Sequence, residues 1–385
     1  MERREGRHRL DPSGQDAVSW PKGATAANLD DRGRSERGLS PEIKADGVMI
    51  LIPVFNDWES LSQLLPRLDA ALAPHFLTVD VLIVDDGSTV EYDALMTGQP
   101  YVALGRIDVL RLRRNLGHQR AIAIGLAYIE DRCRAGAVVI MDGDGEDDPR
   151  DVPRLLNRLQ KSESPTIVFA ERARRSESLV FRVFYALFKL LHRILTGHGV
   201  RVGNFSVVPQ ERLSSLVVVD DLWNHYAAAV IRSRQPFAMI PTERSHRFSG
   251  RSTMNFVSLV THGLSAISVY SDIVGVRLLV ASIALAVLAF VGMITAVMVR
   301  FATNLAIPGW ASYTVGILLI LFVQAVLGAF VFSFAILGSR RGTTFLPRRD
   351  YSFFIGPIST LFDTRQSRTS MPHSEHESAV IIQGK

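Results

Sequence analysis

The chain of 385 residues has a single cysteine, Cys133. That excludes an internal disulfide and a thiolate zinc cage, and it points to a reducing, cytosolic setting for the folded part. Glycine-rich phosphate loops of the Walker or dinucleotide type are also missing. Phosphates would therefore be held by a metal and by Arg rather than by a helix N-terminus. His118, His192, His198, His225, His246 and His262 lack metal-ligand spacing and are assigned no metal. No hydrophobic segment follows the basic start, which argues against a secretory signal. Residues 1–46 are charged and Gly/Ser-rich without an apolar run, too little to offset the entropy of ordering, and are read as a disordered tail.

What is present is apolar and basic. Hydrophobic residues make up 47% of the chain, and the mean hydropathy of +0.16 is high for an entirely soluble protein. The formal charge of +5, carried almost wholly by Arg, suits an anionic membrane surface, a phosphorylated substrate or nucleic acid. Two uncharged apolar runs, about 278–299 and 313–337, each exceed or match the roughly 20 residues that span a bilayer. Arg277 precedes the first, and Arg340, Arg341, Arg348 and Arg349 follow the second; only Arg300 marks the connection. The positive-inside rule then puts both outer ends in the cytoplasm. A further stretch, "SLVFRVFYALFKLLHRILTG", is interrupted by Arg182, Lys189, His192 and Arg193, and reads as an amphipathic in-plane helix near 178–196.

From Gly47 onward short apolar strands alternate with helical patterns. "VMILIPVF", "VDVLIVDD", "IDVLRLRR", "AVVIMD" and "TIVFAER" are the strands, and such near-continuous apolar runs predict a mostly parallel sheet covered on both faces. Ligands of these sheets bind beyond the carboxyl ends of the strands. Polar clusters stand at four successive ends: "PVFND", "DDGST", "RNLGHQ" and "DGDGED". The last gathers five carboxylates in "IMDGDGEDDP", where Asp142 and Asp144 project to one side of an extended segment and Gly143 and Gly145 allow a sharp turn. Hard oxygen ligands on a tight turn suit Mg²⁺ or Mn²⁺, which take one or two protein carboxylates and leave room for substrate phosphates. A calcium-binding EF-hand loop fails at its sixth and twelfth places, Asp147 and Pro153. Asp147, Asp148 and Asp151 read as caps of the following helix. In "DDGST", Asp85 or Asp86 could accept hydrogen bonds from a base or ribose, or merely stabilise a turn.

Taken together, "ILIPVFND", "VLIVDDGST", "RNLGHQRAIAIGL" and "VVIMDGDGEDDP" resemble the nucleotide-sugar-binding half of family 2 glycosyltransferases with the GT-A fold, and the "RNLGHQ" form resembles the polyprenyl-phosphate group that includes dolichyl-phosphate mannose synthase. The resemblance implies an α/β GT-A domain over 47–271, a transmembrane hairpin over 272–340 and a cytoplasmic tail over 341–385. It implies nucleotide-sugar contacts from Pro53, Phe55, Asn56, Asp57, Asp85, Asp86, Asn115, Gly117 and His118. Asp142 and Asp144 match the pair that binds the metal bridging the diphosphate, with Glu146 in an assisting place. "HRFSGRSTM" resembles the family's Arg-x-x-Gly-x-Ser segment, so Arg247, Gly250 and Ser252 would close over the phosphates. Asp57 stands where Glu is usual, Gly145 and Glu146 where Leu-Gln is, and Asn204 where Asp is common.

The implied reaction is inverting transfer of a sugar from a UDP- or GDP-sugar to a polyprenyl phosphate at the inner, cytoplasmic membrane by a multi-pass protein. No nucleic-acid partner is expected, and the motifs leave homo-oligomers open. Charge left on the departing diphosphate calls for a divalent cation and Arg groups. A lipid phosphate is already anionic and needs no general base, whereas a sugar hydroxyl does. Asn204 cannot be that base, which leans toward a phosphate acceptor, while Glu171, Asp220 or Asp221 could serve a hydroxyl. Arg172, Arg174 and Arg175, just past the fifth strand, could hold an acceptor phosphate or form a solvated basic face. A glycosyltransferase with a hydroxyl acceptor, and a non-enzymatic membrane scaffold retaining the fold, are the alternatives.

Overall fold

A computed structural model describes residues 47–75, 77–92, 101–172, 190–197, 202–243, 245–248, 263–302, 309–339 and 345–364. The expected N-terminal tail, Arg174, Arg175, Gly250 and Ser252 lie outside the described residues, as does most of the expected in-plane helix. Its last turn, 190–196, is helical, with Leu190, Leu191 and Ile194 exposed and His192 and Thr196 buried.

In chain order the elements are β1 (Val48–Val54), α1 (Trp58–Leu72), β2 (Val79–Asp85), β3 (Leu104–Leu112), α2 (His118–Arg132), β4 (Ala137–Ile140), α3 (Asp151–Gln160), β5 (Ile167–Arg172), β6 (Ser206–Pro209), α4 (Gln210–Leu216), α5 (Tyr226–Arg232) and β7 (Phe237–Thr242). Two long helices follow, α6 (Ser271–Ala302) and α7 (Trp310–Ser339), and then α8 (Pro347–Asp350) and β8 (Ile355–Asp363).

Eight strands form one sheet in the order β7-β5-β6-β4-β1-β2-β3-β8. The adjacent strands β4, β1, β2 and β3 run parallel, with Ile50 opposite both Val81 and Val139. Strands β6 and β8 run antiparallel to their neighbours and the other six run in one direction, so the sheet is mostly parallel, as the apolar pattern predicts. Period-two alternation sorts each strand between two cores. Val48, Ile50, Ile52 and Val54 face α1 and α3, meeting Leu61, Leu64, Leu65 and Leu68 from the 3.6-residue stripe of α1. Leu51, Leu82 and Val84 face α2, α4 and α5, where Ile122, Leu126, Leu213 and Tyr226 are fully buried. Each such side chain contributes about 1.5–3 kcal/mol. This packing fixes where the strands end, and because β1 to β4 are parallel their carboxyl ends open on one edge.

Cys133 caps α2. Burial pushes its thiol up to about 11, so at about pH 8 almost none is thiolate, the form that reacts. Iodoacetamide is expected to label it at least about tenfold more slowly than it labels a small free thiol; equal rates would contradict the packing.

Within the segment expected as a cytoplasmic tail, residues 345–364 carry α8 and β8. After α7 the chain returns to the sheet and β8 pairs with β3, Ile107 opposite Phe362 and Val109 opposite Ser359. Arg348 pairs with Glu130 and Asp131 on α2, Tyr351 donates to Asp131, and the rings of Trp223, Phe345 and Phe354 pack together. Gly356 and Pro357 weaken the strand signal of this segment and are tolerated because β8 is an edge.

The helices α6 and α7 are long and apolar enough to cross a membrane, and only 11% and 6% of their most apolar windows are buried. Val280, Ile283, Leu288, Ile317, Phe330 and Phe334 are at least half exposed, which no soluble core helix would leave. Gly275 against Ile336 and Gly292 against Leu318 let the two helices approach closely. Arg232 joins this pair to the sheet domain: its Nε lies 3.1 Å from Asp221 and its Nη1 3.1 Å from Asp272 in the first turn of α6.

Candidate active site

The four polar turns converge beyond the carboxyl ends of β1, β2, β3 and β4, and they are bonded to one another. After β1, Asn56 adopts a left-handed φ of 54°. Its Oδ1 accepts from the backbone N–H groups of Thr89 and Val90 at 2.9 and 3.2 Å, and its own N–H donates to Ser88 Oγ at 2.9 Å. The turn after β2 is thereby clipped to the turn after β1. Phe55 beside it stands 47% exposed, open to stack on a ligand, while Pro53 stays in β1 opposite Val84.

The two aspartates after β2 separate in role. Asp85 Oδ1 accepts from Ser88 N–H at 2.8 Å and its Oδ2 lies 3.6 Å from Arg111 Nε. Asp86, buried, accepts from Leu116 N–H and Gly117 N–H at 2.7 and 2.8 Å, one with each oxygen. Burial raises its pKa, and those two N–H groups oppose the rise. Asp86 thus braces the "RNLGHQ" turn, and Gly117, at φ 95°, gives the chain its entry into α2. Asn115 is exposed in that turn.

His118, the first residue of α2, reaches across to the turn after β4. Its Nε2 lies 3.1 Å from Asp142 Oδ1, with about two-fifths of the side chain still accessible. Burial alone would lower the pKa of the ring; Asp142, with Asp144 and Asp147 behind it, more than reverses this, and the net direction is up. Asp147 does not cap α3: its Oδ2 turns back to accept from Asp142 N–H at 2.9 Å, holding the turn shut. Asp148 engages Arg150, and Asp151 engages Arg154.

Arg247 closes the other side. Its guanidinium bonds Asp57 after β1 and lies 3.3 Å from Asp144 after β4, tying the two turns together. Its segment runs along the carboxylate turn, with Ser245 N–H donating to Glu146 O at 3.0 Å and Phe248 N–H to Asp144 O at 3.1 Å. Arg67 from α1 lies 3.8 Å over the Phe248 ring, which also packs against Gly145. A Cβ on Gly145 would run into that ring, and the residue has φ +86°. Gly145→Ala is therefore expected to cost about 2–5 kcal/mol, from left-handed strain plus overpacking. A thermal shift or denaturant titration checks it; an unchanged midpoint would show that the turn is laxer than described.

Asp142 and Asp144 are each drawn against a cationic group, His118 and Arg247 respectively. Among the described residues no group of three or more His, Cys, Asp or Glu is placed to hold a metal. The structure brings together Asp57, His118, Asp142, Asp144 and Arg247, and behind His118 it adds Asn204, whose Nδ2 lies 3.0 Å from the ring Nε2. Asp221 sits elsewhere, bonded to Arg232 at the root of α6, its carboxyl pushed up to about 6 by burial. Arg111, Gln119 and Phe248 are neighbours to which motif reading gave no role, since each acts through a partner distant in sequence or through a backbone group.

An α/β domain with acidic and basic groups gathered at the ends of its parallel strands forms a candidate ligand site at the sheet edge, and a helical hairpin follows it. Residues 49–211 match the family described as "Glycosyl transferase family 2". Over 151 residues the chain is 30% identical to dodecaprenyl-phosphate galacturonate synthase of Rhizobium johnstonii, covering 38% of this chain and 42% of that protein. Over 118 residues it is 33% identical to undecaprenyl-phosphate 4-deoxy-4-formamido-L-arabinose transferase of Sodalis glossinidius, covering 31% and 35%. The matches thus span less than half the length of either relative. Among solved structures, glucosyl-3-phosphoglycerate synthase of Mycobacterium tuberculosis, crystallised with Mn²⁺, UDP-glucose and phosphoglyceric acid, is similar at 17% identity and a TM-score of 0.44, over 63% of this chain and 86% of that one.

Proposed function

We propose that the protein is a membrane-bound, divalent-cation-dependent glycosyltransferase that moves a sugar from a nucleotide diphosphate sugar to a polyprenyl phosphate at the cytoplasmic face. The observation that carries this reading is the meeting of Asp142, Asp144, His118 and Arg247 at the strand ends of a domain built into a pair of exposed apolar helices. Relatives named for dodecaprenyl- and undecaprenyl-phosphate support the lipid acceptor.

The donor set fits a hard divalent cation: two carboxylates, two residues apart on a glycine turn, are what Mg²⁺ or Mn²⁺ takes from protein when substrate phosphates fill its other positions. Asp142 and Asp144 would hold it, with Glu146 beside them, and when bound it would supply charge neutralisation at the diphosphate. Phe55, Asn56 and Asp85 line the side on which the nucleotide would lie. Arg247, held by Asp57 and Asp144, is placed to turn its guanidinium onto phosphate oxygens as substrate enters. Asn204 carries no basic lone pair, and Asp221 is committed to Arg232, which favours an acceptor that arrives already ionised. Arg172 and Arg175 would receive its phosphate, with Gly250 and Ser252 closing the loop.

Because α8 and β8 belong to the same domain that precedes α6, both outer ends of the hairpin emerge on one side of a bilayer. The arginines flanking those ends support the cytoplasmic side. The test is full-length protein in membranes with UDP-, GDP- and dTDP-sugars, undecaprenyl phosphate, and Mg²⁺, Mn²⁺ or EDTA. Labelled sugar is expected in a chloroform-methanol-extractable, acid-labile product only with cation present. Labelling of hydroxyl acceptors alone would favour the other class of glycosyltransferase, and full turnover in EDTA would remove the metal.

A further inference from the structure

Behind His118 lies a buried chain of amides whose direction is fixed from its far end. Tyr226 is fully buried, and its backbone N–H can only donate; it does so to Gln119 Oε1 at 2.7 Å. The other end of that amide, Nε2, therefore points to Asn204, 3.1 Å from its Oδ1. Asn204 is left with Nδ2 turned toward the site, 3.0 Å from His118 Nε2. Reversing either amide would set donor against donor or acceptor against acceptor, so the orientation follows from the network itself. Gln119 and Asn204 are each only 8% exposed, too little for water to rescue a reversed pair.

At the open end one ring nitrogen answers to two neighbours. His118 Nε2 lies between Asn204 Nδ2 and Asp142 Oδ1, at 3.0 and 3.1 Å. A hydrogen on it serves Asp142 and opposes the Asn204 N–H; a lone pair does the reverse. A substrate oxygen that accepts from Asn204 resolves the conflict.

We propose that Gln119 is a positioning residue that holds the Asn204 amide with its N–H toward the site, where it donates to a phosphate oxygen of a substrate. This rests on the glycosyl-transfer reading and deepens it, since a donor at this point suits a phosphate oxygen, from either the acceptor lipid or the nucleotide diphosphate, and not a hydroxyl awaiting a base.

The test is Gln119→Glu in the full-length protein. The ionised carboxylate of this variant still accepts from Tyr226 N–H but cannot donate to Asn204, whose amide then turns and offers its oxygen to the site. At about pH 8 the KM for one of the two phosphate substrates is expected to rise about tenfold or more with a smaller change in kcat, and the substrate affected identifies the source of the oxygen. Burial raises the pKa of the introduced carboxyl, so as the pH is lowered it takes up a proton and donates again, and the variant-to-wild-type ratio of KM should shrink toward one. A purely structural Gln119 would give a ratio flat in pH. Should Gln119→Glu fail to fold, Asn204→Asp keeps an oxygen for Gln119 Nε2 and places an oxygen in the site, so the same rise in KM is expected. Wild-type constants in either folded variant would overturn the proposal. If the wild type transfers no sugar to lipid phosphate, the glycosyl-transfer reading fails by itself, and binding of labelled nucleoside diphosphate and undecaprenyl phosphate to the variants still decides the amide's polarity.

Discussion

An Asp142→Asn protein is expected to fold and to lose transfer by a factor of about 10²–10³ or more, the usual consequence of removing one preorganised group that meets developing charge. The substitution keeps size and shape. The backbone N–H of residue 142 still donates to Asp147 Oδ2, so the turn after β4 remains braced from below. What disappears is a negative charge 3.1 Å from His118 and two residues from Asp144. Kinetics with the active donor, beside a thermal melt of the same sample, separates the two effects. A melting point within a few degrees of wild type with turnover down by that factor is the expected pair; turnover within twofold of wild type would take Asp142 out of the chemistry.

Ending the chain after Ser339 is expected to destabilise the sheet domain itself, although every motif of the site is retained. The truncation strips β8 from β3 and exposes a paired edge from Arg106 to Leu112. It also removes Tyr351, 3% exposed and bonded to Asp131, and the Phe345 and Phe354 rings that cover Trp223. Lost burial of Tyr351, at about 1.5–3 kcal/mol, together with the partial burial of the two Phe rings, is a large share of the stability of an ordinary domain. Aggregation or a melting point lower by more than about 10 °C should follow. Tyr351→Ala alone is expected to cost about 3–5 kcal/mol. A truncated protein that melts like the full chain would show that the return strand is ornamental.

The parallel centre of the sheet was legible because its strands are apolar throughout and end in polar turns. "VMILIPVF" and "AVVIMD" need no tertiary context to be read as β1 and β4. The outer strands carry weaker signals: β6 is only Ser206–Pro209, and β8 holds Gly356 and Pro357, so both depend on a neighbour to become strands. The residue types of the site were legible and their bonding was not. Asp85 and Asp86 are adjacent and chemically alike, yet only the fold shows that both oxygens of Asp86 are occupied by Leu116 and Gly117. Gln119 sits in "GHQRAIAIGL" with nothing local to mark it, because its partners are Asn204 and the backbone of Tyr226, 107 positions away. Likewise Asp57 and Arg247 are 190 residues apart, and no spacing rule joins them.

In the proposed function Asp142 and Asp144 would hold a divalent cation against the nucleotide's diphosphate. Anomalous diffraction at the manganese edge, from crystals soaked with Mn²⁺ and the nucleoside diphosphate of the active donor, tests it directly. One peak is expected within about 2.0–2.4 Å of oxygens from both aspartates and from the diphosphate. An ordered diphosphate at the ends of β1 and β4 with no peak beside that pair would contradict it.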